Sequence, residues 1–164
     1  MGARALVEDT RQKVGQHRAK NAWWESQGVG VVRCKLPFGD YALAPKVSVD
    51  TKQSLQELAT DLYQQHDRFR RECEAAQAAG TLLVVLVETA HPVRCLDDLE
   101  RWVEPDDELA KRSKGGRAAK RLTGYPMARI CRTMTEKYGV GWAFCAPEDA
   151  GREVLEIIGA FDGR

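Results

Sequence analysis

Residues 39–59 read GDYALAPKVSVDTKQSLQELA, and this stretch decides the fold. Gly39-Asp40 follows Pro37-Phe38 and marks a turn. Tyr41 to Ala44 and Val47 to Lys52 read as the arms of a hairpin around Pro45-Lys46. On the second arm Asp50 and Lys52 are two apart and share one face, while Val47, Val49 and Thr51 point the other way. Ser54, with Glu57 three residues on, gives a capping-box start. The spacing of Leu55, Ala59, Leu62, His66, Phe69, Cys73 and Ala76 then predicts one helix over Ser54 to Ala79, stopped by Gly80. A charged strand thus hands directly to a long amphipathic helix.

The same reading extends outward. Ala5 to Val7, ending in Glu8-Asp9, is a first strand. Lys13 to Gln27 reads as a helix with Val14, Ala19, Ala22 and Trp23 as its apolar positions, ended by Gly28. Val29 to Leu36 is β-branched and reads as a strand. Thr81 to Val87 is an unbroken apolar run, the pattern of a strand buried on both faces. Asp97 to Val103 is a short helix, Tyr125 to Tyr138 a longer one, Val140 to Cys145 a strand, and Glu148 to Phe161 a closing amphipathic helix. Residues 104–122 are polar, contain glycine and lack a period, so they read as a loop insertion. Strands alternating with helices imply a three-layer α/β/α domain around a mixed sheet. A chain of 164 residues fits a single domain over 1–164.

Composition excludes little. A net charge of +1 gives no bulk attraction to polyanions, so any nucleic-acid binding has to come from local clusters. The five cysteines are scattered, with no CxxC pair, which argues against zinc and against a disulfide framework. Buried free thiols in a reducing cytoplasm fit better. No apolar run approaches a membrane span, and the N-terminal MGARALVED has neither a secretory apolar region nor a myristoylation signal. The expectation is a cytoplasmic protein with no membrane partner.

Asp9 at a strand end, Asp40 at a turn, and Asp50 with Lys52 on one strand face are the residues that can carry chemistry. Carboxylates are hard oxygen ligands, and Mg2+ takes one or two of them while keeping waters and substrate phosphate. A nearby lysine can hold or deprotonate an attacking water and stabilise developing charge. Asp-x-Lys alone is too short a motif to carry this; taken by itself, a turn aspartate and a solvated strand face explain it better.

The order of motifs adds to it. Gly39-Asp40, a spacer, then Asp50-Thr51-Lys52 resembles the GD…ERKxxxD hallmark of the XPF-type nuclease domain, within the PD-(D/E)xK, restriction-endonuclease-like superfamily. Asp9-Thr10-Arg11-Gln12 is similar to that family's D-x-R-E strand end, and Arg68-Phe69-Arg70-Arg71-Glu72 to its RFxRE helix. Leu82 to Glu88 matches the strand ending in glutamate. Tyr138-Gly139-Val140 and Trp142-Ala143-Phe144 are similar to the last strand of compact stand-alone members encoded in bacterial and phage genomes. The resemblance runs from about Ala5 to Gly159. Four positions depart from the pattern: Asp50 for glutamate, Thr51 for arginine, Gln12 for glutamate, and Gln56, beside Glu57, for the final aspartate. The family's tandem helix-hairpin-helix segment has no counterpart in these residues.

The resemblance implies a magnesium-dependent endodeoxyribonuclease, with Mn2+ substituting, acting on branched, flap or fork DNA in repair, recombination or phage DNA processing. It implies Asp40 and Asp50 as metal ligands assisted by Asp9, Lys52 positioning the water, Arg11 clamping phosphate, and Glu72 and Glu88 supporting. It also implies a homodimer or heterodimer formed through this domain. The departures at Gln12, Thr51 and Gln56 leave a second reading open, a catalytically weak or inactive DNA-binding or scaffolding subunit. Lys111, Arg112, Lys114, Arg117, Lys120 and Arg121 place six cations within eleven residues. They read either as a phosphate-binding loop, with Lys114, Arg117 and Lys120 as its DNA contacts, or as a solvated segment balanced by Glu104, Asp106, Asp107 and Glu108. His66 reads as a satisfied core histidine, and His17 and His91 carry no role. Of Trp23 and Trp24, at most one can face the core.

Overall fold

The computed structural model describes residues 5–42, 47–113 and 118–159. Its six-stranded sheet has the order β2-β1-β3-β4-β5-β6. The strands are β1 (Ala5–Asp9), β2 (Gly30–Cys34), β3 (Tyr41–Ala42), β4 (Val47–Lys52), β5 (Leu82–Glu88) and β6 (Gly141–Cys145). β1 and β2 run parallel, as do β4, β5 and β6, and the two-residue β3 runs antiparallel to both β1 and β4. Two reversals restore direction, so five strands point the same way. Asp9, Lys52 and Glu88, the last residues of β1, β4 and β5, therefore open onto one edge of the sheet. In parallel α/β sheets that carboxyl edge is where ligands bind.

Helices α1 (Arg18–Ser26), α2 (Leu55–Tyr63), α3 (His66–Ala78), α4 (Leu96–Arg101), α5 (Asp106–Arg112), α6 (Gly124–Tyr138) and α7 (Ala150–Gly159) complete the domain. One face of the sheet packs Leu83, Val85 and Val87 against Leu55, Leu58 and Leu62 of α2, Phe69 and Cys73 of α3, and Met127 and Cys131 of α6. The other packs Leu6, Val49 and Leu86 against Trp24 of α1 and Val154 and Ile158 of α7. Alternate residues of β5 thus enter opposite cores, which is why its sequence is an unbroken apolar run. This is a restriction-endonuclease-like three-layer α/β fold. Among the described residues no helix is long and apolar enough to cross a membrane. Cys73, Cys131 and Cys145 are buried free thiols, and Cys34 and Cys95 are exposed.

Three expectations are corrected. The helix over Ser54 to Ala79 is two helices. Ser54 caps the first, accepting from the Glu57 N–H at 3.1 Å, and the chain breaks at Gln64-Gln65, where both amides donate to Thr60 O at 2.8 and 3.0 Å. Tyr63, Gln64 and Gln65 are exposed, so the break opens no core. α1 begins at Arg18 rather than Lys13. Gly15 takes a φ of 79°, Val14 is 86% exposed, and Ala19 and Ala22 face solvent. The inward row is His17, Lys20 and Trp24, polar where the helix meets the carboxyl edge of the sheet. Trp24 donates to Gly151 O at 2.9 Å, while Trp23 packs against α7.

Residues 104–122 are not simply loop. They hold α5, with Asp106, Asp107 and Glu108 in its first turn and Lys111 and Arg112 in its last, the arrangement that complements the helix dipole. The buried Glu104 carboxylate accepts from Arg112 Nε and Nη2, both at 2.6 Å, and from the Leu122 N–H at 3.0 Å. Val103 and Thr123 bridge the base of the insertion. Glu104 therefore ties both ends of the segment together, and Arg112 lowers its pKa, outweighing the rise that burial would cause.

Candidate active site

The Gly39-Asp40 turn needs its glycine. Gly39 has a φ of 72°, and a Cβ there would collide with Ser48 Oγ. The Gly39 N–H donates to Glu72 Oε1 at 2.6 Å, so α3 clamps the turn. The Asp40 backbone then bridges two strands. Its N–H donates to Val49 O at 2.8 Å, and its carbonyl accepts from the Asp9 N–H at 2.7 Å.

The Asp40 side chain is held from three directions. Oδ2 accepts from the Thr51 N–H at 2.8 Å and from Thr51 Oγ1 at 3.0 Å. Oδ1 accepts from Gln12 Nε2. Gln12 Oε1 in turn lies 2.6 Å from His17 Nε2. An amide oxygen only accepts, so His17 carries its proton on Nε2. Nδ1 is then free to accept from Gln53 Nε2 at 3.1 Å and Lys20 Nζ at 3.5 Å. Burial, with Lys20 close by, lowers the His17 pKa and keeps the ring neutral. Lys20 is anchored by Glu88 Oε2 at 2.9 Å. Gln12 and Thr51 are thus the groups that fix Asp40.

Asp50 and Lys52 lie beside this on the α2–α3 face. Lys52 Nζ is 2.8 Å from Asp50 Oδ2 and also pairs with Asp61 of α2; it sits 5.9 Å over the Phe69 ring. Burial would lower the lysine pKa, but the two carboxylates outweigh it and hold the ammonium charged. The Asp50 carboxyl is pushed up, first by burial and then by the negative charges of Asp40 and Glu72, against the pull of Lys52. Apart from the Lys52 ammonium, Asp50 Oδ2 has no hydrogen-bond donor among the described residues.

These groups open into a cleft of about 230 Å3. Asp40, Asp50, Thr51, Lys52, Gln12 and His17 line it, with Arg11, Gln53, Glu57, Arg68 and Glu72 around them. Its charged lining is three cations against four carboxylates. Among the described residues no three His, Cys, Asp or Glu side chains converge into a ready-made metal cage. Two carboxylates in an open polar cleft still suit a hard divalent ion that keeps water and substrate oxygens as its other ligands. The under-bonded, repelled Asp50 carboxylate fits such an ion.

The other expected site residues fall outside that group. Asp9 is 1% exposed and its carboxylate is taken by Arg11, which donates from its backbone N–H at 2.9 Å, from Nε at 2.6 Å and from Nη2. It stands behind the cleft and does not line it. Glu88 is a further step back, paired with Lys20. Lys120 is exposed, and Lys114 and Arg117 lie outside the described residues. Arg112 and Arg121 of the same basic run are committed to Glu104 and Asp106. His66 is not a satisfied core residue: it is half-buried, and its Nδ1 has no partner among the described residues. His91 pairs with Glu108 at 2.8 Å.

Asp61, His17, Lys20 and Gln53 were not expected at the site. Asp61 leaves a faint signal, a buried charge one helical turn after Leu58 on the inner face of α2.

No protein-family model matches the chain, and no curated protein matches it in sequence. Solved structures do. XPF from Aeropyrum pernix is similar at a TM-score of 0.65 and 18% identity, over 98% of this chain and 66% of that one. XPF from Aeropyrum pernix in complex with DNA is similar at 0.64 and 16%, over 96% of this chain and 64% of that one. The chain spans just under two thirds of those proteins' length. At such identity the likeness speaks to architecture. The chain has a restriction-endonuclease-like α/β fold, shared with these XPF structures.

Proposed function

We propose that this chain is a metal-dependent DNA endonuclease, hydrolysing phosphodiester bonds at the Asp40/Asp50/Lys52 cleft and acting on branched, flap or fork DNA. The observation that carries the reading is the meeting of Asp40, held by Gln12 and Thr51, with the buried Asp50–Lys52 pair in one open polar cleft. A fold shared with a protein solved in complex with DNA supports DNA as the partner.

Asp40 and Asp50 would hold Mg2+, with Mn2+ able to substitute. The ion would neutralise phosphate charge and acidify a water. The remaining work falls to this chain's side chains. Lys52, kept as an ammonium by Asp50 and Asp61, donates hydrogen bonds and stabilises negative charge gathering on the phosphate. It is not a base, because it has no free lone pair. Arg11 and Arg68 line the cleft and suit phosphate oxygens, which guanidinium groups bind through paired N–H donors. Asp9 assists indirectly by setting the Arg11 side chain. Glu72 holds the Gly39-Asp40 turn, and Glu88 fixes Lys20 and through it His17. Lys120, with Lys114 and Arg117, would add phosphate attraction away from the chemistry. Pairing with a second copy or a related subunit belongs to the same reading and is checked by the mass of the protein in solution.

The test is incubation of labelled flap, fork, splayed-arm and duplex DNA with the protein and Mg2+ or Mn2+. Metal-dependent cleavage of a branched substrate, lost in Asp50→Asn, is the expected result. No cleavage of any substrate with either ion, and no Mg2+ binding by calorimetry, would overturn the nuclease reading in favour of a scaffolding subunit.

A further inference from the structure

The catalytic cleft has a neighbour on the far side of α3. Arg68 and Glu72 line the cleft. His66 and Arg70, two positions earlier and about 200° around the helix, line a second groove between α3 and α6 with a volume of about 460 Å3. One helix, about 10 Å across, is the wall between them. From α6 the groove receives Tyr125, Arg129, Thr133 and Lys137, spaced four apart along a single stripe, and all four are exposed.

The lining is one-signed. Arg70, Arg129 and Lys137 contribute three cations and no carboxylate joins them. Arg70 is partly occupied by Glu74 at 2.7 Å and Asp67 at 4.0 Å, but Arg129 and Lys137 make no ion pair among the described residues. Arg129 lies over the Tyr125 ring, 5.8 Å from its centroid. Tyr125 is 53% exposed, a large aromatic residue left at the rim. His66 adds a buried Nδ1 with no partner among the described residues, a polar atom at the groove that the fold leaves without a bond. Cations in a row beside an exposed aromatic face are the elements of a single-strand site: phosphates meet the cations and a base stacks on the ring.

We propose that the α3–α6 groove binds single-stranded DNA flanking the scissile phosphate, so that the strand crosses α3 between groove and cleft. This rests on the nuclease reading and deepens it by assigning a partner site. The two surfaces divide the work by charge. The cleft, with more carboxylates than cations, takes a phosphate once a divalent ion is there. The groove attracts the backbone with no ion. Its contribution to affinity is therefore independent of metal.

The test is fluorescence anisotropy of labelled single-stranded and duplex DNA with the full chain, without and with Mg2+, across a salt series. Arg129→Ser/Lys137→Ser removes two phosphate contacts at exposed helix positions. It should weaken single-strand binding about ten-fold and reduce the slope of log K against log salt by about 1.4. The loss should be the same without metal, and single-turnover cleavage at saturating DNA should be unchanged. Tyr125→Ala should weaken single-strand binding by about ten-fold and leave duplex binding as it was. Wild-type affinity and salt slope in the double variant, with Arg68→Ser still weakening binding, would overturn the groove while leaving the nuclease reading intact. Equal losses for single-stranded and duplex DNA in Tyr125→Ala would overturn the single-strand assignment. A wild-type chain that binds neither form would overturn both readings.

Discussion

Lys52 is shared between two carboxylates from different elements, Asp50 on its own strand at 2.8 Å and Asp61 on α2. All three side chains are nearly removed from solvent. Lys52 is the cation on Asp50, while Asp61 is also reached by the exposed Arg68 at 3.3 Å; Asp40 and Glu72 add their charge to Asp50. The site therefore carries a standing electrostatic cost, of the sort functional centres retain for activity.

Replacing Asp50 by asparagine should abolish cleavage and stabilise the metal-free protein, by about 1–2 kcal/mol. The sign follows from the raised folded-state pKa of Asp50. Below the unfolded value near 4, the carboxyl is protonated in both states and carries no penalty. As pH rises toward the folded value, the folded state is destabilised relative to the unfolded chain. The advantage of Asp50→Asn should therefore be present at neutral pH and fade near pH 4, seen as converging denaturant midpoints. A variant that cuts at the wild-type rate would remove Asp50 from the proposed metal site.

Lys52→Met should do the opposite. It strands Asp50 without its cation and leaves Asp61 only the exposed Arg68 at 3.3 Å, and breaking a buried pair from one side costs about 3–5 kcal/mol. The denaturation midpoint should fall, with loss of cleavage. Lys52→Met/Asp61→Leu should recover part of the stability and none of the activity. Equal stability of Lys52→Met and wild type would mean that water reaches the pair.

Much of this site was legible because its parts are local. Gly39-Asp40 and Asp50-Thr51-Lys52 lie on adjacent segments, and the strand period alone puts Asp50 and Lys52 on one face. β5 was legible from its apolar run, since both of its faces are buried. The break between α2 and α3 was not, because Leu62 and Phe69 are seven apart. That spacing keeps the apolar stripe in phase across Gln64-Gln65. α5 left no trace, since none of its residues is buried and its anchor Glu104 lies outside it. The inward row of α1 was misread for a related reason: apolar content pointed to Ala19 and Ala22, while His17 and Lys20 face inward to meet Gln12 and Glu88. A polar residue turned inward toward a site gives no hydrophobic signal.

Gln12 links Asp40 to His17, and its amide can do so in one orientation only. Gln12→Ala should raise the Mg2+ dissociation constant about ten-fold with little change in stability, because the Gln12 side chain is only part-buried. His17→Ala should give a smaller effect of the same sign, since it frees the Gln12 amide to rotate. Isothermal calorimetry on the DNA-free protein reads both. Metal affinity unchanged in Gln12→Ala would show that Thr51 alone suffices to hold Asp40.

Glu104→Gln tests whether α5 depends on its buried anchor. Arg112 holds the Glu104 pKa below the usual range, so the stabilisation is present above the unfolded value near 4.3 and is lost as pH falls through the folded one. An amide keeps the shape but loses the charge-assisted bonds to Arg112, a cost of about 1–3 kcal/mol. Hydrogen exchange should speed up across α5 and at Leu122 while the sheet stays protected. Uniform loss of protection would mean that this segment unfolds with the core.

The basic run from Lys111 to Arg121 does not act as one charged patch. Lys111, Arg112 and Arg121 are paired with Asp107, Glu104 and Asp106, so their charges are largely spent within the chain. Lys114, Arg117 and Lys120 are the cations left to consider, and Lys120 is exposed to solvent. Serine at these three positions should weaken DNA binding and lower the salt slope by at most about 2–3. Arg121→Ser should weaken binding less and stability more. Single-turnover cleavage at saturating DNA should match wild type in the triple variant, because phosphate attraction there precedes the chemical step. An unchanged affinity and salt slope would mean that the segment is a solvated insertion, leaving DNA capture to Arg11, Arg68 and the α3–α6 groove.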